Sequence, residues 1–114
     1  MVVNEMDLEI FKGCVDVLIL SLLENRKNSY GYEISKIIKK ESNMEYSIGE
    51  GTLYTSLRRL EKKSLITSKW KLKEERNRKY YEITDEGKNY LSEKLDAIKK
   101  FNNLMENLLG GKNE

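Results

Sequence analysis

The apolar positions change period along the chain, and the changes predict three helices, a β-hairpin and one long last helix. Over residues 7 to about 24, Leu8, Ile10, Phe11, Cys14, Val15, Val17, Leu18, Ile19, Leu20, Leu22 and Leu23 cover most of a helical circumference, as a helix buried on several sides requires. Residues 25–29 are polar and suit a loop. Ser29 stands where a side chain caps a second helix carrying Tyr32, Ile34, Ile37 and Ile38, with Lys36, Lys39 and Lys40 turned outward. Ser47 with Glu50 three residues later has the spacing at which two side chains satisfy orphan backbone donors reciprocally, and it predicts the start of the third helix. Leu53, Leu57 and Leu60 follow at intervals of 4 and 3, with Tyr54 beside them. That stripe leaves Thr52, Thr55, Ser56, Arg59, Lys62 and Lys63 largely on the opposite face, which is small, hydroxylated and basic.

From Ile66 the period drops to two. Ile66, Ser68, Trp70 and Leu72 alternate with Thr67, Lys69, Lys71 and Lys73, as in a strand with one buried face. Tyr81 and Ile83 alternate with Tyr80 and Glu82 in a second run, and a charged loop over residues 73–78 completes the hairpin. Thr84 is placed to cap a helix running to about Leu109, where Gly110-Gly111 accommodates a left-handed end. Its stripe of Leu91, Leu95, Ile98, Phe101, Met105 and Leu108 advances on average about 3.4 residues per step, close to a coiled-coil seam. About two turns suffice to pack on the domain, so the rest of the stripe calls for another partner.

The chain has 114 residues, about one ordinary domain, with 39% hydrophobic and 35% charged residues, enough for a small core under a charged surface. The longest apolar run, residues 17–23, is far short of a membrane span. The first ten residues carry three acids and no basic segment, so a secretory signal is not expected and a cytoplasmic location is. One cysteine and no histidine exclude an internal disulfide, a Cys/His zinc site built from one chain and histidine-dependent nucleophile designs. No motif supports carboxylate, Lys or Tyr catalysis, so the expectation is a non-enzymatic protein without metal or cofactor.

Charge distribution changes the picture most. Residues 58–79 hold ten basic and three acidic side chains, net +7, which leaves −5 for the rest of a chain whose overall charge is +2. Positive charge confined to the end of the third helix and the hairpin is the footprint of a polyanion contact, against the plainer reading of a solvated charged face. A hydroxylated helix beside a basic hairpin is the layout of a winged helix-turn-helix, with the helix in the major groove and the hairpin on the flanking backbone or minor groove. One such domain covers too little duplex for selectivity, and two copies on a palindrome are the economical arrangement.

The segments GYEISKIIKKES, GEGTLYTSLRRLEKKSLI and RKYYEITDEGKNYL, in this order and spacing, resemble the PadR family of transcriptional regulators over roughly residues 13–91. The resemblance implies a bacterial homodimeric regulator, mostly of the repressor type, mainly α with a small β-hairpin. It implies a winged helix-turn-helix over residues 1–83 whose first helix also joins the dimer, a dimerisation helix over 84–109 and a short tail over 110–114. The compact subgroup with a single C-terminal helix is the nearest in kind. Some similar members bind hydrophobic or phenolic compounds near the dimer interface and release DNA, which would put a small-molecule effector near Phe101. The chain departs from the family pattern at Thr55, where proline is common, at Ser64, where glycine is common, and in a wing loop without glycine.

The residues expected to contact DNA are Ser47, Thr52, Tyr54, Thr55, Ser56 and Arg59 on the reading helix and Lys71, Lys73, Arg76, Arg78 and Lys79 on the wing. The expected dimer seam is Leu91, Leu95, Ile98, Phe101, Met105 and Leu108. Tyr54 suits either a phosphate contact or the core. Tyr32 reads as packing, Cys14 as a small core residue, and Trp70 as a core or hairpin-to-helix contact rather than a stacking platform. The rival reading is a winged helix that binds another protein through its last helix, its basic wing serving only solubility.

Overall fold

The computed structural model describes residues 4–5 and 13–110. In chain order the elements are β1 (Asn4–Glu5), α1 (Cys14–Asn25), β2 (Ser29–Tyr30), α2 (Gly31–Glu41), β3 (Tyr46–Ser47), α3 (Glu50–Lys62), β4 (Ile66–Lys73), β5 (Arg76–Ile83) and α4 (Asp85–Leu108). The mainly helical winged-helix architecture is the expected one. Residues 7–12 of the helix expected from residue 7 lie outside the described residues.

The core gathers the apolar faces of α1, α2 and α3 with the root of the hairpin. Val15, Ile19, Leu20, Leu23, Ile34, Leu53, Leu57, Leu60 and Ile66 are all buried. These are the 3- and 4-spaced positions of each helix, so the stripe visible in the sequence is the packed one. Three short strands were not anticipated. Ser29–Tyr30 adds an antiparallel third strand to the hairpin, pairing with Tyr81 and Tyr80 in the strand order β2-β5-β4. Tyr46–Ser47 pairs in parallel with Asn4–Glu5.

Both expected capping roles change with these strands. Ser29 is held in β2 and fully buried; its hydroxyl donates to the Glu33 carboxylate, and Tyr30 occupies the cap position. Ser47 is held extended in β3, so α3 starts two residues later than expected, with Gly49 at the cap, where the Gly49 carbonyl accepts from the Leu53 amide at 2.9 Å. Strand pairing holds Ser29 and Ser47 one and two residues ahead of the cap positions, and neither helix start has a side-chain cap.

The end of α3 turns on Ser64 at φ 63°, with its amide bonded to the Glu61 carbonyl and the Leu65 amide to the Leu60 carbonyl, both at 3.0 Å. This left-handed termination is the one glycine makes without strain, which accounts for glycine being the usual residue there. The hairpin turn is tighter than the expected loop: strands run to Lys73 and from Arg76, leaving only Glu74 and Glu75, at φ 54° and 63°. Two consecutive left-handed residues form the turn whose twist matches that of the strands.

Thr84 caps α4 as expected, its hydroxyl oxygen accepting from the Gly87 amide at 2.9 Å while the hydroxyl donates to the Ser64 carbonyl at 2.8 Å. One side chain thus ties the start of the last helix to the end of α3. At its other end Gly110 adopts φ 80°. Among the described residues α4 packs on the domain through its first turns, with Gly87 and Leu91 buried.

Candidate nucleic-acid interface

The exposed side of α3 carries Thr55, Arg58, Lys62 and Lys63, with Thr52 and Tyr54 at its borders. Ser56 and Arg59, expected on this side, face inward instead. Positions 53, 56, 57 and 60 complete an i, i+3, i+4, i+7 stripe, so Ser56 sits among the leucines and is 2% exposed. It is therefore closed to DNA in this arrangement. Arg59 reaches across to α1, where its guanidinium nitrogens donate to the two Asp16 carboxylate oxygens at 2.7 and 3.2 Å and to the Ser56 hydroxyl at 3.1 Å. The Asp16 hydrogen bonds raise the Arg59 pKa above its ordinary value, partly opposed by desolvation. Arg59 is thus an anchor between helices, and neighbouring Arg58 is the outward guanidinium. Ser47 lies on β3, before the helix rather than on it, and is half-buried.

All five expected wing cations lie on the hairpin, but on two faces. Residues directly opposite in an antiparallel ladder share a face, so the pairs Lys71–Arg78 and Lys73–Arg76 stand together, whereas Lys79 pairs with Trp70 on the other face. Aromatic rings hold several of the cations in place. The Arg78 guanidinium sits 4.2 Å from the Tyr30 ring centre and the Lys71 ammonium 5.2 Å from that of Tyr80. Tyr30 and Tyr80 meet edge to face at 5.3 Å. Lys79 lies 5.8 Å from the Tyr81 ring and 3.7 Å from Glu61 of α3, which ties the wing to the helix. Burial, followed by the nearby Glu61 charge, pushes the Tyr81 phenol above its ordinary pKa, so it stays neutral at physiological pH.

Between α3, the start of α2 and the wing runs an open cleft of about 660 Å³. Arg58, Arg76, Arg78 and Lys79 supply its positive charge, and no carboxylate lines it among the described residues. Tyr54 and Trp70 are among its aromatic walls. Tyr54 is packed against the core, as one of its two readings has it, and also lines the cleft. Its ring occupies the space that a side chain on Gly31 would need, so glycine there permits α2 to approach α3 closely.

Three residues missed in the sequence belong here. Arg58 shared a charge run with Arg59 and only the fold separated them. Tyr32, read as packing, is exposed with the Lys36 ammonium 5.2 Å from its ring. Trp70, read as a core or hairpin-to-helix contact, is 64% exposed, because the hairpin projects past the helices beyond Ser68. Cys14 is half-exposed at the start of α1 rather than part of the core.

On the last helix Leu91 is buried against the domain, while Leu95, Ile98, Phe101, Met105 and Leu108 are exposed, together with Leu104 and Leu109. No helix among the described residues is long and apolar enough to cross a membrane.

Comparison with known proteins agrees with this geometry. Residues 19–93 match the Transcriptional regulator PadR-like family. A transcriptional regulator from Clostridium thermocellum superposes with a TM-score of 0.81 at 39% identity, over 90% of this chain and 96% of that one. A PadR family transcriptional regulator from Eggerthella lenta gives 0.78 at 34% identity, over 90% and 87%. An uncharacterized protein of Lysinibacillus sphaericus is 44% identical over 86 residues, 75% of this chain and 78% of that one.

Proposed function

Because the chain belongs to the PadR-like family of transcriptional regulators, we propose that it acts as a homodimeric repressor that occludes a promoter at a two-fold symmetric operator. The observation that carries this is the cationic side shared by two elements: Arg58 and Lys62 on α3, Lys63 at its end and the Lys/Arg-rich wing, gathered round a cleft that no carboxylate lines among the described residues. Helix α3 enters the major groove with Thr52, Tyr54, Thr55 and Arg58, and Lys71, Lys73, Arg76, Arg78 and Lys79 hold the flanking backbone.

The dimer reading rests on α4. Seven large apolar side chains from Leu95 to Leu109 stay in water on a single chain, and a second copy is the partner a self-complementary stripe fits. A small hydrophobic effector between the paired helices, near Phe101, would loosen the spacing of the two reading helices and release DNA.

Selection of bound duplexes from random-sequence DNA tests the whole reading. The expected product is a palindrome with half-sites about one helical turn apart. Log affinity should fall with log salt at about 0.9 per phosphate neutralised, and Arg76→Gln should lower that slope by about one such unit. Absence of any retained duplex at low salt overturns the DNA reading in favour of a protein-binding module.

A further inference from the structure

The wing carries a feature that electrostatic gripping does not require. Trp70 is 64% exposed and Leu72 75% exposed, on the face of β4 shared with Lys79 and Asn77. Large apolar side chains left in water at the tip of a strongly charged hairpin gain nothing for the fold, since the buried part of that face ends with Ile66 and Tyr81. Trp70 forms a wall of the cleft opposite Tyr54 and Arg58 of the reading helix, and Arg76 and Arg78 stand at the same cleft. An aromatic plane with the Lys79 ammonium on its own face of the hairpin and the Arg58 guanidinium on the same cleft meets two parts of a nucleotide at once: the ring takes a base or sugar face, and the cations take its phosphates.

We propose that Trp70 is a DNA-contacting residue of the wing, packing its indole, with Leu72 beside it, against a base or deoxyribose of the strand whose phosphates Arg58 and Lys79 hold. This rests on the DNA-binding reading above and adds to it a non-ionic contact. Such a contact contributes affinity independent of counterion release, and its strength varies with how easily the flanking base step opens. Sequence preference just outside the half-site read by α3 is the consequence.

The test uses the full chain and a duplex recovered by random-sequence selection, with a scrambled duplex for comparison. Trp70 is the only tryptophan, so its emission reports on the contact directly. The duplex should quench and shift that emission. Trp70→Ala should weaken binding about tenfold with the salt slope unchanged, and Trp70→Phe should recover most of the loss. Arg76→Gln should show the opposite signature, a shallower slope with tryptophan quenching retained. Circular dichroism confirms that Trp70→Ala folds, as expected for a side chain this exposed. Duplex binding with undisturbed tryptophan emission, or with equal affinity for wild type and Trp70→Ala, overturns this assignment and leaves the DNA-binding reading standing. Failure of the wild type to retain any duplex overturns both.

Discussion

Replacement of Arg59 by methionine isolates the one charged contact that ties the reading helix to α1. Asp16 is 7% exposed as a residue, while the Arg59 side chain keeps 40% of its surface in contact with water. Breaking a fully buried ion pair costs about 3–5 kcal/mol, because a charge is stranded without a partner, whereas an exposed pair is worth about 0–1 kcal/mol. The pair here lies between these limits, and the two ends differ. Arg59→Met strands the buried carboxylate and should cost about 2–3 kcal/mol, or about 10–20 °C in Tm for a domain of this size. Asp16→Asn leaves a guanidinium that already reaches water and keeps one acceptor for it, so its cost should be about 1 kcal/mol. The double variant should lose less than the sum of the two, with a coupling of about 1–2 kcal/mol.

Urea unfolding followed by circular dichroism, at one fixed protein concentration because the proposed dimer would add to stability, measures all three. Equal losses from the single variants, or strict additivity in the double variant, refute the argument. Below its melting point Arg59→Met should keep its preference among duplexes, since this guanidinium faces Asp16; a selective loss at one base pair would show instead that Arg59 turns outward on DNA.

Ser64→Gly should stabilise the chain by about 1 kcal/mol by relieving a left-handed residue with a side chain, read as a higher urea midpoint. Glu74→Asn with Glu75→Gly should stabilise the wing turn similarly and, by removing two carboxylates from the tip, tighten binding to any duplex at low salt. Gly87→Ala should destabilise by about 2 kcal/mol or more, since the added carbon meets the Leu65 carbonyl and lies 2.7 Å from Ile83; unchanged thermal melting would contradict that packing. Leu95→Glu should convert the dimer to monomer in sedimentation by placing an unpaired charge in the seam, and an unchanged mass removes α4 as the dimer element.

Periodicity by itself specified the helices, the hairpin and the leucines of the core, because burial of an apolar stripe is the same requirement in any helix and leaves its spacing in the chain. Thr84 and Gly110 were legible for the same reason: a helix end needs a local acceptor and a residue that tolerates positive φ, and both needs are met within a few residues. Charge counting located the cationic fifth of the chain, since net charge sums without knowledge of direction. Direction is what the tertiary structure decided. Arg58 and Arg59 are adjacent and alike, and only the position of Asp16, 43 residues earlier, draws one across to α1 while the other stays on the outer side of α3. Ser29 and Ser47 looked like caps until strands distant in sequence claimed their backbones. Trp70 shares its alternation with buried Ile66, and whether such a residue is core or surface depends on how far the hairpin outruns the helices it packs on. These outcomes depend on partners that are remote along the chain, so no local pattern of residues could carry them.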